Sequence, residues 1–358
     1  LRKQYDEAGF PAGRVAFICA SEQAAFLPPY FASLSVVISD TAFPTTGDRE
    51  FPGIVYRSMR PFGGALWVTG QAKKSLNAFM KAGLDNPEGP LTRITQSIDP
   101  EALLFIREGA PKGSANWTQQ YGSIANTVKS DDSLVQLPLG VLWFGGNSNM
   151  DVLPRHGHGP PEQVVDGRLI IEGMDSISCR DVYTGRVIWK TEFTTLSSFN
   201  QYYDESYADL PLANNYYNQE HLPGANSRGT NFVATPEEVF VAQGTHVHVL
   251  DIETGEITRS VKNEANSRVG YIGSYQGKLI TGTEFASYSG MVTRPSTRTA
   301  GLQPLKPGND RRVERFTDYD ITASAGLALY DRRQELLWHK TAEYGFIHNS
   351  ITAGNNRL

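Results

Sequence analysis

The sequence of 358 residues lacks several features that would define a chemical class at once. It holds two cysteines, Cys19 and Cys179, which are too few for a disulfide framework and too far apart in sequence to suggest a metal cluster. The formal net charge of −5 gives no sign of a nucleic-acid or anionic-membrane partner. No run approaches the roughly 18 consecutive apolar residues of a membrane-spanning helix. We therefore expect a globular protein without nucleic-acid partners or transmembrane segments.

What the sequence does contain is a repeated turn. Asp181-Val-Tyr-Thr-Gly-Arg-Val-Ile-Trp189 is echoed by Asp251-Ile-Glu-Thr-Gly-Glu-Ile-Thr258 and, more loosely, by Asp331-Arg-Arg-Gln-Glu-Leu-Leu-Trp338. The Asp side chain caps such a turn, and glycine supplies a positive φ at its tightest point. The strand that follows presents Trp or an apolar residue to a neighbouring sheet. Each repeat predicts one antiparallel meander, and stacked meanders predict a β-propeller.

The residues that this pattern predicts to dock one blade on the next can be named. They are Asp181, Thr184, Gly185, Trp189, Asp251, Thr254, Gly255, Asp331 and Trp338.

The repeats are widely spaced and incomplete. The three Asp positions lie 70 and 80 residues apart, against roughly 40–50 for a plain propeller blade. Residues 194–231 and 285–320 account for the excess and are predicted to be long inserted loops, where binding usually occurs. A fourth repeat opens at Gly354-Asn-Asn-Arg-Leu358. We expect about three and a half blades over 111–358, in an excerpt of a larger protein whose other blades complete the ring.

Residues 1–110 follow a different pattern. Short apolar runs at 14–19, 35–39, 65–69 and 103–106 alternate with helical segments at 1–10, 50–59 and 75–82. Alternation of strands and helices predicts an α/β, Rossmann-like segment. Ser35-Val-Val-Ile-Ser39 is apolar on both faces, as expected for a strand buried in a parallel sheet. The sequence thus predicts a mainly β protein with an N-terminal α/β segment.

The repeats resemble those of PQQ-like β-propellers, the quinoprotein alcohol dehydrogenase-like superfamily, which includes outer-membrane assembly lipoproteins. The run from Trp117-Thr-Gln-Gln-Tyr-Gly122 through Pro138-Leu-Gly-Val-Leu-Trp-Phe-Gly-Gly146 to Arg155-His-Gly-His-Gly-Pro160 is similar to large multi-domain bacterial propeller proteins. The resemblance implies a periplasmic or other extracytoplasmic location. Quinoprotein chemistry would need a stacking Trp, Ca²⁺ ligands and commonly adjacent cysteines, which this sequence does not display. PQQ would bind only with residues outside it.

Residues 1–110 resemble the C-terminal half of a class I S-adenosylmethionine-dependent methyltransferase. The resemblance rests on Arg14-Val-Ala-Phe-Ile-Cys-Ala-Ser-Glu22, Phe26-Leu-Pro28 with the following strand, and Met59-Arg-Pro-Phe-Gly-Gly-Ala-Leu66. It implies that Glu22 lies beside the adenosine and that Gly63 and Gly64 form a turn near the cofactor. The Gly-rich cofactor loop of that family does not precede Arg14, so S-adenosylmethionine binding would need further sequence.

The remaining polar candidates leave several interpretations open. His156 and His158, in Arg155-His-Gly-His158, could bind a metal, contact a polar ligand or partner, or belong to an ordinary turn. The tyrosines around 202–217 could line a carbohydrate- or peptide-binding surface. The leading hypothesis is a non-catalytic binding or scaffolding module. The alternative is an enzyme, a methyltransferase or quinoprotein-type oxidoreductase, whose site needs residues outside this sequence.

Overall fold

A computed structural model describes most of the chain, and its strands dominate. The described residues are 2–9, 27–39, 50–70, 91–94, 102–144, 151–152, 162–173, 175–194, 196, 231–287 and 319–358. They fall into two compact units, Leu1–Gly113 and Ser114–Leu358. None of the helices in these ranges combines the length and the apolar character needed to cross a membrane. The prediction of a mainly β protein is confirmed.

The N-terminal unit contains one mixed sheet with a helix packed against it. Its elements are α1 (Arg2–Glu7), β1 (Leu34–Ser39), α2 (Glu50–Ser58), β2 (Gly64–Gly70), β3 (Leu91–Ile94) and β4 (Leu103–Arg107). The strand order is β1-β2-β4-β3. β1 and β2 are parallel, whereas β4 is antiparallel to both of its neighbours. Val55 of α2 and the adjoining Met59 pack on Leu66 and Phe105, which forms the core of this unit.

One face of β1 is exposed, contrary to the prediction. The prediction that the strand at 35–39 is buried on both faces is wrong, because Val36 is 53% exposed and Ile38 is 72% exposed. β1 is an edge strand among the described strands of this sheet, and only the alternate residue Val37 joins the core under α2. An apolar run cannot by itself reveal that one of its faces is uncovered. The predicted strand at 14–19 and helix at 75–82 lie outside the described residues.

The described residues of the C-terminal unit form three four-stranded antiparallel sheets, each with its strands in chain order. The first sheet comprises β5 (Gln163–Val165), β6 (Arg168–Glu172), β7 (Ser176–Asp181) and β8 (Val187–Glu192). The second comprises β9 (Phe232–Ala234), β10 (Glu238–Gln243), β11 (His246–Asp251) and β12 (Ile257–Lys262). The third comprises β13 (Val269–Tyr275), β14 (Lys278–Ser287), β15 (Tyr319–Tyr330) and β16 (Leu336–Ile347).

The sheets are joined by apolar cores. Ile170 and Ile177 of the first sheet pack with Val239 and Val241 of the second. A second cluster joins the second sheet to the third, as between Val249 and Leu279. Burying each such side chain stabilises the fold by about 1.5–3 kcal/mol. After the third sheet, Gly354 and Arg357 form an isolated bridge across a turn.

Each sheet of this unit has a turn end and an insertion end. The turn end carries the hairpin between the first and second strands and the turn between the third and fourth. The insertion end carries the connection between the second and third strands and the connection to the next sheet. Residues 195–230, which follow the first sheet, and residues 288–318, within the third, both start and finish at insertion ends. β5 also begins at an insertion end.

Candidate functional site

The Asp residues of the repeated turns bind backbone N–H groups. Asp181 Oδ1 accepts hydrogen bonds from the N–H groups of Tyr183 (2.9 Å) and Thr184 (3.0 Å). Gly185, at φ +70°, donates its own N–H to the carbonyl oxygen of Asp181 at 2.8 Å. These bonds close the turn.

The second sheet repeats this turn. Asp251 Oδ1 accepts from the N–H groups of Glu253 (2.9 Å) and Thr254 (2.8 Å), and from the Thr254 hydroxyl (3.0 Å). The hydrogen bonds from Thr254, the backbone one first, lower the pKa of Asp251. The carboxylate therefore stays charged at neutral pH, which favours its role as an acceptor.

Two tryptophans lie on these turns. Trp189 Nε1–H donates to the carbonyl oxygen of Ile252 at 2.9 Å, and its ring covers Gly255. Trp143 does the same one repeat earlier, because its Nε1–H donates to the carbonyl oxygen of Val182 at 2.8 Å and its ring covers Gly185. Trp143 was not among the predicted docking residues. Its signal was the run Val141-Leu-Trp-Phe144, which parallels Val187-Ile-Trp-Lys190.

The third turn differs from the other two. Asp331 Oδ1 accepts from the N–H groups of Arg333 and Glu335, both at 2.8 Å. Gln334, at φ +61°, takes the position of the glycine, and its side chain meets Arg259 instead of a tryptophan. Trp338 is half-buried and lies on no turn in the described part of the chain.

Residues 116–126 form a strap along the first strands of the sheets. It pairs with β5 of the first sheet through both backbone bonds between Trp117 and Val164, each 2.8 Å long. The Gln119 side chain then donates to the carbonyl oxygen of Ile272 in β13 at 3.4 Å. Asn126 donates to the carbonyl oxygen of Ile351 at 3.0 Å. The strap thus connects the first sheet, the third sheet and the segment that follows the third sheet.

A small polar pocket lies between the strap and the third sheet. Its volume of about 10 Å³ is roughly that needed by one water-sized group. The residues that line it are Gln119, Gln120, Tyr121, Asn126, Tyr271, His348 and Asn349. The lining residues carry amide, phenol or imidazole groups, and none of them is a carboxylate, Lys or Arg.

Two residues define the hydrogen-bonding chemistry of the polar pocket. Gln120 is only 9% exposed, and its side-chain amide makes no hydrogen bond to any residue that the structure describes. Burial raises the pKa of Tyr271 to about 12, so its hydroxyl remains a protonated donor. The pocket is therefore suited to an uncharged ligand that carries hydroxyl or amide groups.

The buried nucleophiles nearby are enclosed. Ser324 is fully buried, its Oγ lies 2.8 Å from His348 Nε2, and a Cβ on Gly270 or Gly282 would collide with it. Burial also raises the pKa of Cys179 to about 12, between the first and second sheets. Neither side chain is placed to attack a substrate. The described ranges contain no group of three His, Cys, Asp or Glu side chains arranged to hold a metal ion.

The structure describes only some of the other predicted site residues. Glu22, His156 and His158 lie outside the described residues. Gly63 and Gly64 form the turn before β2, where Gly63 has φ +106° and Gly64 N–H donates to the carbonyl oxygen of Arg60 at 3.0 Å. For PQQ, neither Trp143 nor Trp189 has an indole free for stacking, since each covers a turn. We assign no PQQ-binding residues among the described ones.

Comparison with known proteins reveals distant structural likenesses. No family model and no curated protein matches the sequence. A europium-containing methanol dehydrogenase aligns with a TM-score of 0.36 and 11% identity, over 64% of this chain and 32% of that one. These structural neighbours include PQQ-like β-propellers. A quinohemoprotein alcohol dehydrogenase from Comamonas testosteroni aligns with a TM-score of 0.36 and 15% identity, over 63% of this chain and 27% of that one.

BamB from Moraxella catarrhalis is a further neighbour. It aligns with a TM-score of 0.24 and 12% identity, over 50% of this chain and 47% of that one. All three alignments span less than half of the neighbouring chain. These structural likenesses concern the fold alone. The description of the polar pocket rests on contacts within this chain.

Proposed function

We propose that this chain is a non-catalytic binding module built on PQQ-like propeller repeats, with further repeats completing its ring. Its ligand contacts lie at the insertion ends of the sheets. The observation that supports this assignment is the contrast between the two ends: hydrogen-bonded turns close one, whereas residues 195–230 and 288–318 both leave the other. Long loops on a rigid scaffold commonly carry binding.

The polar pocket supplies a chemical class for the ligand. Gln120 offers both a donor and an acceptor, and Tyr271 offers a donor that stays protonated. A charged ligand would find no compensating charge in this lining, and burying an unpaired charge is costly. A neutral ligand that inserts one hydroxyl or amide group, such as a sugar or an uncharged peptide, fits both the size and the polarity.

The test is ligand-observed NMR on the full-length protein. The probes are the methyl glycosides of glucose, galactose and mannose, and an uncharged tetrapeptide. We expect saturation transfer to at least one probe, lost in the variant Gln120→Leu and kept in Gln4→Leu, which removes an exposed amide from α1. No transfer to any probe would contradict the neutral-ligand assignment, and transfer that Gln120→Leu leaves unchanged would place binding elsewhere.

A second candidate function is methyl transfer by the N-terminal unit. The sheet order β1-β2-β4-β3, with one parallel pair and β4 antiparallel, is the order expected for the C-terminal half of a class I methyltransferase. Gly63 and Gly64 form the turn into β2 that the resemblance implies. The test is a thermal shift of the full-length protein with S-adenosylmethionine. An unchanged melting temperature at millimolar cofactor would remove this candidate.

A further inference from the structure

The third strand of each sheet carries an equivalent residue near its end. Arg180 of β7, Leu250 of β11 and Tyr330 of β15 each follow a shift in the register of pairing with the fourth strand. Leu250 packs in the apolar cluster between the first and second sheets, and Tyr330 packs in the cluster between the second and third. Arg180 therefore places a positive charge at a position where the other two sheets carry core residues.

The Arg180 side chain is buried and poorly paired. It is 1% exposed, and its Nε–H has no hydrogen-bond partner among the described residues. A guanidinium nitrogen lies 3.7 Å from Asp151 Oδ2, which is an ion contact but is too long for a hydrogen bond. A guanidinium has five N–H donors and stays charged in proteins. Burying such a group is costly unless anionic oxygens accept from it.

Two further donors lie beside Arg180. Ser178 precedes Arg180 by two residues on β7, so both side chains face the same side of the sheet. Ser178 is also buried, and its hydroxyl has no hydrogen-bond partner in the part of the chain that the structure describes. Lys190 of β8 pairs directly with Ser178 across the two strands. One face of the first sheet thus combines a guanidinium, a hydroxyl and an ammonium group.

Asp151 contacts both cations and sets the charge balance. Its carboxylate oxygens lie 3.7 Å from Arg180 Nη2 and 2.9 Å from Lys190 Nζ. Two positive charges and one negative charge leave a local charge of +1. Glu192 lies 3.6 Å from Lys190, but its side chain is 78% exposed and water screens its charge. One further negative charge would therefore be balanced here, whereas a dianion would not.

We propose that Ser178, Arg180 and Lys190 form a binding site for a monoanionic carboxylate. The planar guanidinium of Arg180 suits the two oxygens of a carboxylate, and the Ser178 hydroxyl is a further donor. Lys190 lies at the opening of the site, because its side chain is 37% exposed whereas Ser178 and Arg180 are buried. This carboxylate site shares no residue with the polar pocket and takes a different class of ligand.

The first test measures acetate binding to the full-length protein by saturation-transfer NMR, with the ionic strength held constant by chloride. Acetamide, an uncharged molecule of similar size, is the control ligand. We expect saturation transfer to acetate and none to acetamide. An absence of transfer to acetate would overturn the proposal, since Arg180 would then take no anion besides Asp151.

Two further ligands define the class more closely. Inorganic phosphate at pH 8, mostly a dianion, should compete with acetate only weakly, and phosphate that binds more tightly than acetate would overturn the carboxylate assignment. N-acetyldiglycine presents the carboxylate as a peptide C-terminus. Tighter binding of N-acetyldiglycine than of acetate would assign the site to a peptide carboxylate, and the reverse order would assign it to a small acid.

Variants of the donors show whether acetate binds at these side chains. Ser178→Ala removes the hydroxyl, and we expect it to weaken acetate binding about 10-fold. Lys190→Gln removes the charge at the opening and should weaken binding about 3-fold. Lys262→Gln is the matched control, since it removes an exposed lysine from the fourth strand of the second sheet. Equal effects of Lys190→Gln and Lys262→Gln, with none of Ser178→Ala, would overturn the assignment.

Two more variants change the charge of the carboxylate site. Asp151→Asn raises the local charge to +2 and removes a competing carboxylate, so acetate should bind about 10-fold more tightly. Arg180→Met keeps most of the side-chain volume without the charge, and it should bind no acetate. If Arg180→Met does not fold, Asp151→Asn decides the question. Unchanged or weaker acetate binding in Asp151→Asn would overturn the proposal.

Discussion

Trp189 covers Gly255 so closely that the glycine has no room for a side chain. The indole Nε1–H donates to the carbonyl oxygen of Ile252, three residues before Gly255, at 2.9 Å. The same turn places Gly255 at φ +74°, a conformation that residues with a Cβ rarely adopt. This turn therefore depends on glycine for two reasons, the contact with Trp189 and the positive φ. Their contributions to stability can be measured separately.

The variants Gly255→Ala and Gly244→Ala separate packing from backbone strain. Gly244 has φ +56° with open space around a Cβ, so its substitution costs only the strain, about 1–2 kcal/mol. At Gly255 the collision with Trp189 adds about 1–3 kcal/mol. We expect denaturant unfolding to show the larger loss for Gly255→Ala. Equal losses of stability in the two variants would mean that the Trp189 ring moves aside at no cost in free energy.

The variant Trp189→Phe tests the hydrogen bond of the same contact. It leaves the carbonyl oxygen of Ile252 without its indole donor and creates a small cavity. We expect a loss of about 2–3 kcal/mol in the free energy of unfolding. Trp67→Phe is the control, since the half-buried Trp67 has no indole hydrogen bond to a described residue. Similar losses in the two variants would show that the hydrogen bond contributes little.

Gln163 joins the first strands of two sheets through its amide. It donates to the carbonyl oxygen of Phe232 at 2.8 Å and accepts the N–H of Ala234 at 2.7 Å. Gln163→Leu leaves two buried backbone groups without these partners, at a cost of about 2–5 kcal/mol. Gln119→Leu should cost less, because the Gln119 bond to the carbonyl oxygen of Ile272 is 3.4 Å long. The losses of both variants are measured by denaturant unfolding. A larger loss for Gln119→Leu than for Gln163→Leu would contradict this prediction.

Acid should weaken the turn that Asp251 caps. Hydrogen bonds from Thr254 lower the folded-state pKa of Asp251, so the carboxylate contributes stability above the unfolded pKa of about 4. That contribution is lost as the pH falls through the lowered folded value. Asp251→Asn keeps an acceptor that does not titrate in this range. We expect the stability difference between the wild type and this variant to narrow on acidification; a difference independent of pH would contradict the pKa shift.

The Cys179 thiol should not react with thiol reagents in the folded protein. Burial raises its pKa to about 12, which leaves roughly one thiolate in 10⁴ at pH 8. In a Cys19→Ser variant, a thiol reagent should modify no cysteine in the native protein. After denaturant is added, it should modify one cysteine, Cys179. Rapid modification of the native protein would show that the interface between the first and second sheets opens readily.

The sequence predicts contacts that are local and misses those that depend on register. Asp181, Thr184 and Gly185 interact within five residues, so the turn is visible in the sequence. Arg259 was overlooked because its equivalence to Trp189 appears only when the strands are paired. The polar pocket could not be foreseen, since Gln119 and Tyr271 are separated by 152 residues. The exposure of Ile38 likewise depends on what covers β1.

The strap has a consequence for how the chain acquires its fold. Its bond from Gln119 to Ile272 spans 153 residues, and its bond from Asn126 to Ile351 spans 225. Closing such long loops is entropically costly and slows folding. During synthesis the strap leaves the ribosome before the three sheets, and its partner Ile351 emerges only after the third sheet. The strap must therefore wait for its last partner until all three described sheets have been synthesised.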